Sequence, residues 1–215
     1  MITPDGCAVE LYARLPAWQE PGVVHAAAGG GATILELGCG TGRVTHPLIE
    51  LGHAVTAVDE SPEMLARVRG ARTVLARIQG LDLGGRRFDA VVLGSHLFNV
   101  PDDDLLGEWL ATCRRHVADG GSVLIEHHPT AWFETAADSE RVVDGLIFRT
   151  SGVQRPGPGL VSATVEYAYG DQVWTQSFTA REVTEADLPH VLDPAGLEFV
   201  EYLTDDRSWF RALPR

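Results

Sequence analysis

The hydrophobic rhythm of the chain changes once, near Thr130. Before that point, short apolar runs alternate with helix-like stretches. Thr33–Leu37, Ala54–Val58 and Phe88–Leu93 are brief runs of apolar and β-branched residues, as expected of strands covered on both faces. Thr73–Ala76 and Ser122–Glu126 read as two more. The stretch Asp102–Val117 keeps Leu105, Leu106, Trp109, Leu110, Cys113 and Val117 on one helical stripe. Its start is acidic and its last turn holds Arg114, Arg115 and His116, as the helix dipole favours. A helix is also expected from Arg43 to about Leu51, closed by Gly52, and another is expected to start at Ser61 as N-cap with Pro62 as its first residue. Ahead of the first strand, Val9–Leu15, ended by Pro16, and Gly22–Ala28 read as short helices.

After Thr130 the pattern is extended. Val142–Val153, Leu160–Tyr169 and Val173–Glu182 read as three antiparallel strands, with Ser162–Tyr169 alternating as a strand with one wet face does. Gly170-Asp171 is a hairpin signal between the last two. Thr184 starts a helix that ends near Gly196, and Leu197–Leu203 and Ser208–Leu213 read as closing strands. The pattern predicts an α/β fold, a doubly wound and mostly parallel sheet with an antiparallel β insert between the fifth strand and the last helix. Along the chain this gives a leader over 1–32, a core over 33–130, the insert over 140–183 and a closing unit over 184–215, all in one domain.

Composition narrows the partners. The chain has 215 residues, 45% of them hydrophobic, which is ample for one core. Its net charge is −13, a poor start for nucleic-acid binding, which needs phosphate neutralised by Lys and Arg. Cys7, Cys39 and Cys113 have no metal-type spacing and are odd in number, so reduced thiols in a cytoplasm are expected. No apolar run has the length of a membrane span, and the amino terminus carries Asp5 and Glu10 rather than a basic stretch. Asp102, Asp103 and Asp104 read as a helix start rather than a metal site.

The chemistry centres on Ile34–Arg43, ILELGCGTGR, a buried strand running into a glycine turn and a helix. About twenty residues later the next strand stops at Asp59, placed to grip a ribose diol. A dinucleotide turn needs its third glycine where this chain has Arg43, which argues against a nicotinamide-dependent oxidoreductase. Glu36, just before the turn, would oppose a pyrophosphate but suits a ligand carrying ammonium or sulfonium charge. The pattern E-x-G-x-G-x-G followed by DESPEML at Asp59–Leu65 resembles the first two motifs of the class I S-adenosylmethionine-dependent methyltransferases. FDAVVLGSHLFNV, the next helix and DGGSVLIEHH are similar to later motifs of that family, so the resemblance covers roughly residues 33–128.

This resemblance implies a Rossmann-like sheet of seven strands, S-adenosyl-L-methionine as cofactor with S-adenosyl-L-homocysteine as product, and methyl transfer to N, O or C of a small molecule without a metal. The alternative is a catalytically silent module that binds the same ligand as a sensor or scaffold. The cofactor residues it implies are Tyr12, Glu36, Gly38, Cys39, Gly40, Arg43, Asp59, Glu60, Met64, Gly94 and Ser95. Gly80-Leu81-Asp82 resembles the triplet that meets the adenine. The leader resembles a lid, with Tyr12 and Arg14 as pocket residues. His96, His127 and His128 follow strands whose ends face the acceptor, and imidazole suits proton transfer near neutral pH, so each is a candidate base. Asn99, Glu126 and Trp132 are candidate substrate contacts. The insert is a candidate cover for the substrate or a face for pairing with a second copy. The absence of an N/D-P-P-Y/F sequence after the fourth strand favours small metabolites over amide or nucleobase amines.

Overall fold

The computed structural model describes residues 8–215; Asp5 and Cys7 lie outside them. The chain enters through α1 (Val9–Tyr12) and α2 (Glu20–Ala28), then winds β1 (Thr33–Leu37), α3 (Thr45–Glu50), β2 (Ala54–Asp59), α4 (Pro62–Leu65) and β3 (Arg72–Leu75). β4 (Phe88–Leu93), α5 (Asp103–His116), β5 (Val117–Glu126) and α6 (Thr130–Thr135) follow. The insert holds β6 (Ser139–Val143), β7 (Leu146–Gln154), β8 (Leu160–Tyr169) and β9 (Gln172–Arg181). It is followed by α7 (Leu188–Leu192), β10 (Leu197–Tyr202) and β11 (Trp209–Pro214).

The main sheet has the order β10-β11-β5-β4-β1-β2-β3. β1 to β5 run parallel, and β11 is antiparallel to both of its neighbours. This is the expected doubly wound sheet of seven strands. Strand alternation sorts its side chains into two cores. Leu35, Val91, Leu93, Val123, Ile125 and Phe210 pack under α5 and α7 with Leu106, Leu110 and Leu192. Ile34, Ala90, Val92, Leu124 and Trp209 pack under α2 and α3 with Val24 and Leu48.

Local chemistry fixes the helix starts. Asp102 accepts from the Leu105 N–H at 3.0 Å and Ser61 from the Met64 N–H at 3.2 Å, so both are N-caps. The first helix of the core starts two residues later than the pattern suggests, because Gly42 is still left-handed at φ 89°. The first helix of the leader is only one turn long, and the second begins at Glu20 with Pro21 in its first turn.

The insert has four strands, not three, in the order β6-β7-β8-β9. The run expected as one strand from Val142 folds back on itself at Asp144-Gly145. Both residues have positive φ, 52° and 80°, as a two-residue I′ hairpin requires. Thr184 heads a turn tied by Asp187, and the helix behind it is shorter than expected, with a 3-10 turn at Asp193–Ala195.

β5 also begins earlier than expected, at Val117, and residues between Val117 and Ser122 bulge against β4. Gly121 is required there: an added Cβ would lie 2.8 Å from the Asp89 carbonyl oxygen and 3.0 Å from that of Phe88. Backbone cannot yield cheaply, so Gly121→Ala should destabilise by about 2 kcal/mol or more. Gly107 is exposed inside α5 with nothing near its Cβ direction, so Gly107→Ala should stabilise by about 0.5–1 kcal/mol. Urea denaturation of the two variants checks both signs.

Candidate functional site

The site lies at the carboxyl ends of β1, β2, β4 and β5, where the strand order reverses. Gly38, Gly40 and Gly42 all adopt left-handed φ, 72°, 55° and 89°. The turn they make is pinned twice. The N–H groups of Gly38 and Cys39 both donate to the Val58 carbonyl at 2.9 Å, and the Gly40 N–H donates to Asp59 Oδ2 at 2.8 Å. The other Asp59 oxygen accepts from the Ser61 N–H at 2.9 Å. A Cβ on Gly38 would fill the space against Leu97, 3.1 Å away, and Ile78, 3.9 Å away. The turn is therefore an open backbone cradle with apolar walls.

Glu36 lies behind the cradle and is 5% exposed. Its carboxylate accepts from the Thr45 hydroxyl at 2.5 Å. Burial pushes its pKa up to about 7 against the pull of Thr45 and Arg43. Arg43 is held by Glu20 of α2 and by the Pro16 carbonyl at 3.3 Å. Cys39 contributes only backbone to the turn; its thiol packs with Ala57 and Val68 and donates weakly to the Gly40 carbonyl. Met64 is buried against Val9 and Tyr12, and the Tyr12 ring lies 3.8 Å from where a Gly40 Cβ would stand. Glu60 is exposed and paired with Arg77 at 3.1 Å.

Gly80-Leu81-Asp82 is not at this edge. Arg115 donates to the Leu81 carbonyl at 2.6 Å, and the Leu83 N–H donates to His116, the last residue of α5. Asp82 accepts from the Gly84 N–H in the turn that leads into β4. The triplet thus stands at the amino edge of the sheet, and Ile78 is the residue of that connection that reaches the cradle.

The other side of the site is built on the turn after β4. Ser95 and His96 both have left-handed φ, 55° and 56°, a strained pair for residues with a Cβ. Gly94 lets Glu126 pack close, 3.6 Å from its Cβ direction. Glu126 Oε2 accepts from the Ser95 N–H at 2.5 Å, and Oε1 faces His96 Nε2 at 3.8 Å. Burial, with a further push from the Glu20 charge, raises Glu126 to about 7. The rings of His96, His128 and Trp132 stack in series, with centroids 3.8 and 3.9 Å apart. Burial lowers the pKa of both histidines, His128 the more strongly.

Three expected contacts are corrected. His127 points into the core, as alternation demands of the residue after Glu126. It lies among Phe98, Tyr202 and Phe210, with only a weak backbone contact from Arg207 to its ring. Asn99 is a brace: its amide donates to the Arg181 carbonyl at 2.9 Å and its oxygen accepts from the His128 N–H at 2.7 Å. Arg14 is exposed and lies over the Tyr169 ring of the insert at 5.2 Å. Glu20, Thr45, Ile78 and Leu97 were not singled out from the sequence. Glu20 had a signal, an acid just before a proline at a helix start, but nothing to say that it is buried.

A polar cleft of about 480 Å³ lies at the opposite edge of the sheet, between the Ala27–Ala32 loop and Asp119–Ser122. The residues that carry the chemistry above are not among its walls.

Fold and cradle define a doubly wound α/β protein with an open glycine turn, clamped by Asp59 and backed by the buried Glu36, at its switch point. Residues 34–121 match the family model of a methyltransferase domain. A ubiquinone biosynthesis O-methyltransferase of Caulobacter vibrioides is 34% identical over 108 residues, 44% of this chain and 40% of that protein. A cypemycin N-terminal methyltransferase of a Streptomyces species is 32% identical over 147 residues, 61% of this chain and 59% of that one. This chain therefore spans well under two thirds of the curated relatives it matches. The CcbJ methyltransferase of Streptomyces caelestis superposes with a TM-score of 0.74 at 25% identity, over 92% of this chain and 94% of its own. Over residues 34–121 the chain is thus similar to a methyltransferase domain, and its fold is that of a solved S-adenosylmethionine-dependent methyltransferase.

Two titrations follow. The folded-state pKa of Glu36 is raised above its ordinary value. The stability this gives is full below about pH 4.5 and is lost as pH rises through about 7, about 3 kcal/mol in all. Ligand-free Glu36→Gln should therefore lose less stability than wild type between pH 5 and 9 in urea denaturation. His127 has the opposite sign. Burial depresses its pKa to about 4, so its contribution is full above about pH 6.5 and is lost as pH falls through about 4. His127→Phe should resist acid better than wild type and keep its turnover.

Proposed function

We propose that this chain transfers the methyl group of S-adenosylmethionine to a small-molecule acceptor. The observation that carries this reading is the left-handed glycine cradle clamped to Asp59, with the buried carboxylate of Glu36 behind it. The donor set fits the cofactor. Glu36 would hold its ammonium, Asp59 its ribose hydroxyls, and Ile78, Leu97 and Met64 would wall the adenine. When bound, the cofactor supplies a methyl group already activated by the sulfonium. The chain then has to bring a nucleophile into line and exclude water, which proximity and orientation favour.

The leader and insert supply the cover. Ala8 and Leu11 pack on Leu146 and Phe148 of β7, and the Tyr12 hydroxyl donates to Gln176 of β9 at 3.4 Å. This argues for the insert as a lid support with one face committed. The outer edge of β9 remains a candidate for pairing with a second copy. A net charge of −13 favours a small-molecule partner over nucleic acid.

Calorimetry with S-adenosylhomocysteine should show one site per chain, and Asp59→Ala should weaken it at least tenfold, about 1.4 kcal/mol. Labelled methyl from the cofactor should then appear in a member of a small-metabolite panel. No binding heat in the wild type would overturn the reading.

A further inference from the structure

The acceptor side holds more negative charge than the chain itself balances. Glu20, Glu36 and Glu126 are 4, 5 and 8% exposed, and all three act on or are acted on by one guanidinium, Arg43. That guanidinium is taken by Glu20 and the Pro16 carbonyl. Among the described residues, the only salt-bridge partner within reach of Glu126 is His96, which burial holds neutral at pH 7. The second carboxylate oxygen of Glu20 is buried with no hydrogen-bond donor at all. A buried carboxylate oxygen without a donor is costly, and a cation bound beside it lowers that cost.

We propose that the acceptor is a basic amine that binds as its ammonium ion between Glu20 and Glu126, and that Glu126 takes its proton. The inference rests on the methyl-transfer reading above and names the acceptor class for that site. Every group facing Glu126 is consistent with it. From the β4 turn the Ser95 N–H donates to Oε2, the His96 N–H adds to the support of the carboxylate, and Oε1 faces His96 Nε2 at 3.8 Å, too far for a hydrogen bond. From α2 comes the negative Glu20, and from the loop before α3 comes Arg43, already engaged. From the segment after β5 comes His128, a neutral ring whose two faces are covered by His96 and Trp132. An alcohol would bring no charge to this excess.

An ammonium nitrogen has no lone pair, so it has to be deprotonated before it can attack. In the step assigned to Glu126, one N–H bond of the ammonium breaks and its electron pair stays on nitrogen. The proton forms an O–H bond at Oε1, so a +1/−1 pair becomes a neutral pair. The proton then leaves to water through the tenth of the Glu126 side chain that stays exposed. The histidines are poorer acceptors than this carboxylate: His127 is at about 4 and His128 at about 2, against about 7 for Glu126. The base on this side is a carboxylate.

The test uses the full chain saturated with S-adenosylhomocysteine and labelled with ¹³C at its glutamate carboxyls. The signal lost in Glu126→Gln identifies Glu126. Methylammonium chloride is small enough to enter whatever the shape of the pocket; methanol is its uncharged counterpart and sodium chloride controls ionic strength. Methylammonium should lower the titration midpoint of Glu126 by at least one pH unit, and methanol and sodium should leave it in place. Methylammonium affinity should fall at least tenfold in both Glu126→Gln and Glu20→Gln. Equal effects of methylammonium and sodium on the wild type would overturn the proposal even if neither variant folds. So would wild-type affinity in both variants. Calorimetry separates the two levels: if S-adenosylhomocysteine binds and methylammonium fails, only the amine assignment falls. If S-adenosylhomocysteine itself does not bind, the methyl-transfer reading falls with it.

Discussion

The hydrogen bond from the Gly40 N–H to the Asp59 carboxylate is the constraint on which the site depends. It joins the end of β2 to the turn after β1, and these are the two segments a nucleoside would bridge. The turn can accept it only because Gly38, Gly40 and Gly42 take left-handed backbone, which would strain any residue with a Cβ. The same turn delivers Arg43 to the underside of the leader and Thr45 to Glu36. One backbone geometry therefore sets the cradle, the acid behind it and the only guanidinium seen to act on all three buried glutamates of the site.

Much of this was legible in the sequence, because parallel strands and glycine turns leave strong local signals. Thr33–Leu37 and Phe88–Leu93 are where the apolar runs put them, and Ser61 and Asp102 cap the helices that follow. Legibility failed where two readings fit one stretch. Val142–Val153 is continuous in its extended character, and only Asp144-Gly145 marks the fold-back. The Gly80-Leu81-Asp82 triplet has the right residues, but the connection leaving β3 descends alongside α5, with Ile78 at Thr112 and Leu81 at Arg115, so Ile78 takes the place beside the cradle. The leader shows a third kind of failure. Glu20 looks like an ordinary helix-start acid, and only tertiary packing against Arg43 makes it a buried charge.

The paired histidines after β5 show what alternation could have decided in advance. Glu126, His127 and His128 continue a strand, so the middle residue faces the opposite way from its neighbours. Val123 and Ile125 already belong to the core under α5 and α7, which puts His127 on that side. Glu126 and His128 share the other. The structure follows this rule, with His127 closed in by Phe98 and Phe210 and His128 in the stack with Trp132.

The leader links these parts into one unit. Val9 and Tyr12 lie on Met64 beside the cradle, Glu20 holds Arg43, and Trp18 lies between Arg43 and Arg141 of the insert. Displacing it would uncouple Glu20 from Arg43, leave the buried charge of each unbalanced and expose the apolar contact with β7. Opening for ligand exchange therefore works against both electrostatics and packing. A cation seated beside Glu126 works the other way. It relieves the carboxylate excess only while Glu20 is in place, so the charge pattern that selects the acceptor also favours the closed arrangement that surrounds it.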